Sequence, residues 1–100
     1  MLAREKIIRI LKDKMVFLKH TYHVKRMGIF GSYADGIPRE DSDIDILVEF
    51  EKPIGMAFID FADYMEQALN KKVDILTPEG LKSIRVKEVA RTIERSVVYV

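Results

Sequence analysis

The fold is decided by residues 24–50, which read VKRMGIFGSYADGIPREDSDIDILVEF. Residues 24–30 form a short, mostly apolar run that predicts a β-strand, and Gly31 ends it. The stretch 32–42 is rich in turn-forming residues, and a single helical turn beginning at Ser32 fits its start. A strand and a tight corner therefore lead directly into the segment that follows.

That segment, residues 43–50, is predicted to be a second strand with two different faces. Side chains two apart on a strand point the same way. One face holds Ile44, Ile46 and Val48, and the other holds Asp43, Asp45, Leu47 and Glu49. Because only about twelve residues separate this strand from the first, the two are predicted to pair in antiparallel orientation.

Helical and extended patterns cover the rest of the chain. Apolar residues at helical spacing predict helices over 2–20 and 56–69, with Asn70 as a C-terminal stop. A short strand is expected over 73–76, then a turn capped by Thr77, and a last helix and a short strand end the chain. Strands that alternate with helices predict an α/β (α+β) fold with a small mixed sheet of three to four strands flanked by helices.

The composition is that of a globular protein with one core. One hundred residues leave room for a single domain, residues 1–100, and 48% hydrophobic with 33% charged residues is ordinary for this class. The chain has no cysteine, which excludes disulfides, thiolate metal sites and cysteine nucleophiles. No apolar run approaches the roughly 20 residues that a membrane span needs, and the charged N-terminus is unlike a secretory signal. We therefore expect a cytoplasmic protein that does not enter the membrane.

The net charge of +1 hides an uneven distribution. Residues 1–26 carry eight basic and two acidic side chains, residues 35–66 carry two basic and ten acidic ones, and residues 81–100 carry five basic and two acidic ones. A protein that binds nucleic acid favours one continuous basic face, so direct binding of nucleic acid is not expected. An acidic centre is better suited to a site that gathers cations.

Three features of the sequence bear on chemistry, and each has an ordinary structural alternative. Gly31-Ser32 follows a strand, where the amides of the next turn can bind an anion, although such a pair is more often a plain turn. Asp43 and Asp45 point to one strand face about 6.6 Å apart, which suits hard cations, although an exposed charged strand face is the commoner arrangement. Asp74 lies among apolar neighbours in a strand predicted to belong to the core.

Carboxylates that cluster repel one another. Two of them about 4 Å apart at an effective dielectric constant of about 20 repel by about 4 kcal/mol, and a third raises the cost. If Asp43, Asp45 and Asp74 meet, protons or metal ions must compensate their charge.

Two segments, GSYADG at 31–36 and SDIDILV at 42–48, together resemble the signature of the polymerase-β-like nucleotidyltransferase superfamily. Within this superfamily, the chain length and the motif sequences most resemble those of the minimal nucleotidyltransferases. These are commonly encoded beside a helical HEPN-domain partner as toxin–antitoxin pairs. The resemblance extends from the leading helix to the closing residues 97–99.

This resemblance implies a role for each motif. The triphosphate of ATP would be bound by Gly31, Ser32 and Ser42. Two Mg²⁺ ions would be bound by the catalytic carboxylates, Asp43, Asp45 and Asp74. Asp74 would also activate the acceptor hydroxyl, whose oxygen attacks the α-phosphorus in line while pyrophosphate leaves.

The chain departs from the family at one position. Many members carry arginine where this chain has Asp35, so an anion replaces a cation beside the expected triphosphate. Lys25, Arg26 and Arg39 are the candidates to supply the missing positive charge.

The acceptor is expected on another macromolecule, because a chain of this size supplies the triphosphate-and-metal half of a site and little else. The resemblance implies a HEPN ribonuclease toxin whose tyrosine receives AMP, which makes this chain an antitoxin. Two alternatives stay open: a non-catalytic module that neutralises its partner by occlusion, and an enzyme that modifies a small molecule. The basic stretch 82–95, predicted to be one helix, is either a docking surface or a solvated face.

Overall fold

The computed structural model describes residues 3–35 and 42–100, which form a sheet flanked by helices. The elements follow in the order α1 (Arg4–Tyr22), β1 (Val24–Phe30), α2 (Gly31–Asp35), β2 (Ile44–Phe50), α3 (Ala57–Leu69), β3 (Val73–Leu76), α4 (Pro78–Lys82), α5 (Lys87–Ser96) and β4 (Val98–Tyr99). None of these helices has the length and apolar character that crossing a membrane requires. The predicted alternation of strands and helices is confirmed.

β2 is an internal strand of the sheet, whose strand order is β3-β2-β1-β4. It pairs antiparallel with β1, as the short connection predicted, and parallel with β3. Parallel neighbours need a crossover connection, which α3 provides between β2 and β3. β4 pairs antiparallel with the other side of β1. The predicted mixed sheet is therefore confirmed, with four strands.

The core lies between one face of the sheet and the helices α1 and α3. The register pairs Met27 with Val48 and Ile29 with Ile46, so these four side chains line a single face. The two helices cover that face with fully buried residues at helical spacing, namely Ile7, Leu11, Leu18, Phe61, Met65 and Leu69. Burial of one such side chain stabilises a fold by about 1.5–3 kcal/mol, so this layer holds the sheet in place.

The opposite face of the sheet holds the predicted site. Asp45 pairs with Asp74 across β2 and β3, and two residues farther along Leu47 pairs with Leu76. α4 contacts β2, and its Leu81 is only 8% exposed. The aspartates therefore lie at the amino ends of the two parallel strands, beside a small apolar layer.

Two short signals fix where elements end and begin. Asn70 ends α3 in the left-handed conformation, with φ of 52°, as its position in the sequence predicted. The Thr77 side chain accepts a hydrogen bond of 3.2 Å from the backbone amide of Gly80, and Pro78 occupies the first turn of α4. The chain therefore turns sharply after β3 and brings α4 back over the sheet.

Two expectations were wrong. β3 is an edge strand and the Asp74 side chain is exposed, because β3 pairs with β2 on one side only. The stretch 82–95 is not a single helix, because α4 ends at Lys82 and Val86 is extended, with φ of −88° and ψ of 101°, before α5 begins. This break lets α4 lie against β2 while α5 runs on to contact α2.

Candidate active site

The three predicted carboxylates lie at one end of the sheet. Asp45 is the second residue of β2 and stands in register beside Asp74 of β3, in a sheet whose neighbouring strands are about 4.8 Å apart. Asp43 immediately precedes β2, and both it and Asp74 act electrostatically on Asp45. The parallel pairing of β2 and β3 therefore brings together side chains that are 29 positions apart in the sequence.

Gly31 forms the wall of this site. It follows β1 with φ of 72°, a conformation that favours glycine. A Cβ atom at this position would overlap a carboxylate oxygen of Asp45 and would lie 3.1 Å from its Cγ. Glycine thus lets the corner between β1 and α2 lie directly against the central carboxylate.

The corner is anchored from the far end of α2. Tyr33 is 1% exposed and Ala34 is 5% exposed, so these two residues fix α2 in the core. Ser32, between them and Gly31, stays half-buried, as does Ser42 directly before Asp43. The residues expected to bind the nucleotide thus come from two places: Gly31 and Ser32 from the corner after β1, and Ser42 from the segment directly before Asp43.

The pKa of Asp45 is raised above its ordinary value. Burial of the carboxyl group is the largest cause, followed by the negative charges of Asp74 and Asp43. The site therefore favours a proton or a cation at Asp45, as the repulsion argument from the sequence required.

The donor chemistry fits magnesium. Three carboxylates supply the oxygen ligands that Mg²⁺ prefers, and the pKa of Asp45 is raised by burial and then by the charges of the other two. In residues 3–35 and 42–100, no three acidic or imidazole side chains lie in an arrangement that could hold a metal ion. Asp43, Asp45 and Asp74 are thus neighbours whose carboxylates do not meet as a three-ligand metal site in this structure.

Lys25 and Arg26 do not lie beside the corner at Gly31, so the sequence-based suggestion for them was wrong. A β-bulge sets both opposite Glu49. Arg26 donates a 2.8 Å hydrogen bond to one carboxylate oxygen of Glu49, and the Lys25 Nζ lies 3.6 Å from the other oxygen. The hydrogen bond from Arg26, together with the charge of Lys25, lowers the pKa of Glu49. Glu49 is four residues along β2 from Asp45, about 13 Å away.

Arg4 is a cation near α2 that the sequence analysis missed. Its Nη1 donates a 3.0 Å hydrogen bond to the backbone carbonyl of Ala34, next to Asp35. The two partners are 30 positions apart, so no local pattern reveals the contact. Arg39, the remaining candidate for a positive charge, lies outside the described residues.

Known proteins resemble the chain over nearly all of its length. Residues 5–100 match the family described as the nucleotidyltransferase domain. Protein adenylyltransferase MntA of Thermococcus cleftensis is 42% identical over 101 residues, an alignment that covers 100% of this chain and 98% of the relative.

Solved structures share the fold. One described as a minimal nucleotidyltransferase is 26% identical with a TM-score of 0.74, over 97% of this chain and 95% of the other. A toxin–antitoxin structure with AMP-PNP is 25% identical with a TM-score of 0.62, over 98% of this chain and 72% of the other.

A double-mutant cycle tests the contact between Gly31 and Asp45. Gly31→Ala is expected to lower the free energy of unfolding by at least about 1 kcal/mol more than Gly55→Ala, measured by urea denaturation. Gly55 is the matched control because its φ is 57° but a Cβ there meets nothing within 4 Å. In an Asp45→Ala background the excess cost should vanish, and an undiminished cost there would disprove the contact.

Asp45→Asn is expected to raise the melting temperature at pH 7 in the presence of a chelator. The folded-state pKa of Asp45 is raised, so its charged form destabilises the fold once the pH exceeds that pKa. The advantage of the variant should therefore shrink as the pH falls toward 4. Asp13→Asn, at an exposed position on the basic helix α1, is the control and should give no gain. A variant less stable than the wild type at pH 7 would contradict the proposed repulsion.

Proposed function

We propose, from the premise that the chain belongs to the nucleotidyltransferase domain family, that it transfers AMP from ATP to a hydroxyl group of a partner protein. One observation carries the proposal. Gly31 lies against Asp45, and Asp45 lies in register with Asp74, so a corner suited to phosphate adjoins a group of carboxylates suited to cations.

The corner would bind the triphosphate. Gly31 has no side chain to obstruct an anion, and Ser32 adds a hydroxyl donor at the start of α2. Ser42 offers a second hydroxyl from the other segment. Because Tyr33 and Ala34 are buried, the corner is held in place before the nucleotide arrives, which reduces the entropy cost of orienting it.

Asp43, Asp45 and Asp74 would hold two Mg²⁺ ions. These ions, when bound, supply charge neutralisation for the leaving pyrophosphate and lower the pKa of the acceptor hydroxyl. The protein's own contribution is to fix Asp45 on β2, Asp74 on β3, and Asp43 directly before β2. The charges of Asp74 and Asp43, which add to burial in raising the pKa of Asp45, would favour cation binding there.

Asp74 is the carboxylate best exposed to an incoming acceptor. It would orient the acceptor hydroxyl and accept its proton. The acceptor oxygen then forms a bond to the α-phosphorus, the bond between that phosphorus and the bridging oxygen breaks, and pyrophosphate leaves with the electron pair.

The partner would be a HEPN-domain ribonuclease toxin in the cytoplasm, modified at a tyrosine. Two findings support this choice: the adenylyltransferase name of the Thermococcus cleftensis relative, and the likeness to a toxin–antitoxin structure with AMP-PNP. In this account the chain is the antitoxin, because a modified toxin no longer cleaves RNA.

A second function is favoured by one observation. Asp35 is exposed and negative at the position where many family members carry arginine, which weakens the attraction for a triphosphate. If ATP binds too weakly for transfer, the chain would act by covering its partner's active site.

Alanine substitutions at the carboxylates separate the two functions. We expect Asp43→Ala and Asp45→Ala to reduce transfer of label from ATP to the co-purified HEPN partner by at least roughly 100-fold, because each removes charge stabilisation of the transition state. Intact mass of the partner should rise in multiples of an adenylyl group with the wild type and not with these two variants. Asp60→Ala, at an exposed position on α3, is the matched control and should transfer normally.

Growth rescue in cells that express the toxin gives the complementary readout. Catalysis predicts that the two site variants fail to rescue while Asp60→Ala succeeds. Rescue by all three variants would favour occlusion, and transfer at the wild-type rate by either site variant would refute the assignment of the carboxylates.

A further inference from the structure

We propose that the gap between α4 and α5 is a docking surface for an acidic polypeptide segment that also inserts an apolar side chain. This rests on the proposed function, because the segment would belong to the protein that presents the acceptor. We call the gap the α4/α5 surface. Its buried or half-buried lining residues, Leu81, Ile84 and Ala90, are called the floor, and its exposed ones, Lys82, Lys87, Arg91 and Glu94, the rim.

The α4/α5 surface is an open cavity lined by three cations. Its volume is about 240 Å³, and its lining comes from both helices and from Ile84 between them. Lys87 and Arg91 are four residues apart on α5, so they lie on the same side of that helix, and Lys82 lines the same cavity from α4. Among the described residues of the lining, Glu94 is the acidic one. An anionic ligand is therefore favoured. The apolar floor in addition suits an apolar side chain of that ligand.

Apolar side chains at and before α5 are also exposed on a side of the helix that does not line the α4/α5 surface. None of the residues of α5 is buried, although its apolar and charged residues are clearly segregated. Val89 is 48% exposed, and Val86, directly before the helix, is 56% exposed. Neither side chain lines the α4/α5 surface, whose apolar residues are Leu81, Ile84 and Ala90.

The location connects this surface with the candidate site. α5 contacts α2, which begins at Gly31, and α4 contacts β2, which carries Asp45. Both walls of the α4/α5 surface thus rest on elements that form the site. A segment bound there would bring its neighbouring residues to the region where the acceptor has to arrive.

Charge and shape favour a polypeptide over RNA as the occupant. Residues 81–100 carry five basic and two acidic side chains, so the attraction is for acidic groups. Among the described residues, the lining includes no aromatic side chain on which a base could stack, and Glu94 interrupts the basic rim. An acidic segment with an apolar residue satisfies both the rim and the floor.

The test uses the purified full-length chain without ATP, so that binding is measured apart from catalysis. The probe is a fluorescein-labelled random copolymer of glutamate and tyrosine, followed by fluorescence anisotropy. We expect saturable binding that weakens as salt increases, and no binding of a lysine–tyrosine copolymer. Lys87→Glu/Arg91→Glu should weaken binding of the acidic copolymer roughly tenfold, because two favourable charge contacts become repulsive.

The control is Lys12→Glu/Lys19→Glu, which makes the same change in net charge at exposed positions on α1. It should bind as the wild type does. Lys82→Glu tests the same rim from α4 and should weaken binding even if the double variant loosens α5. Equal weakening by the α1 control, or absence of binding to the acidic copolymer, would overturn the proposal.

Two further measurements test for RNA as the occupant and separate docking from transfer. Tighter binding of a labelled single-stranded RNA, lost in Lys87→Glu/Arg91→Glu, would replace the polypeptide with RNA and overturn the proposal. Asp43→Ala should bind the acidic copolymer normally even though it is expected to lack transfer activity. A failure of the proposed function would therefore appear in the transfer assay alone, and a failure of docking in the anisotropy alone.

Discussion

The position of Asp45 between Gly31 and Asp74 is the constraint on which the candidate site depends. β2 pairs with a parallel neighbour on one side, which sets Asp74 beside Asp45. On the other side it pairs with β1, at whose end Gly31 brings the α2 corner against the same carboxylate. A register shift of one residue in either pairing would turn Asp45 to the other face of the sheet and separate the α2 corner from the carboxylates.

The two faces of β2 divide stability and function between them. Ile44, Ile46 and Val48 are fully buried under α1 and α3, and they secure the strand. The other face carries Asp45, whose pKa is raised by burial and by the charges of Asp74 and Asp43. A site assembled in this way is less stable than a neutral one would be, and the apolar face offsets that loss. In the proposed function, bound divalent cations would compensate this negative charge.

Much of this arrangement follows from local sequence. The period of two in residues 43–50 fixed the shared face of the aspartates, and the short connection fixed the antiparallel pairing. Properties that depend on distant partners did not follow. Val73, Ile75 and Leu76 suggested a core strand, yet β3 lies at the edge because the sheet order depends on all strands. The contact of Arg4 with Ala34 and the pairing of Lys25 and Arg26 with Glu49 join residues far apart in the chain, which a local pattern does not reveal.

Counting bound divalent ions tests the central claim most directly. Mn²⁺ replaces Mg²⁺ at oxygen-rich sites, and electron paramagnetic resonance distinguishes free from bound Mn²⁺ in a titration with AMP-PNP present. Two tightly bound ions per chain are predicted for the wild type, one for Asp74→Asn, and none for Asp45→Asn beyond those held by the nucleotide alone. Equal binding by the wild type and Asp45→Asn would show that these strands hold carboxylates without forming a metal site, and the account would fail.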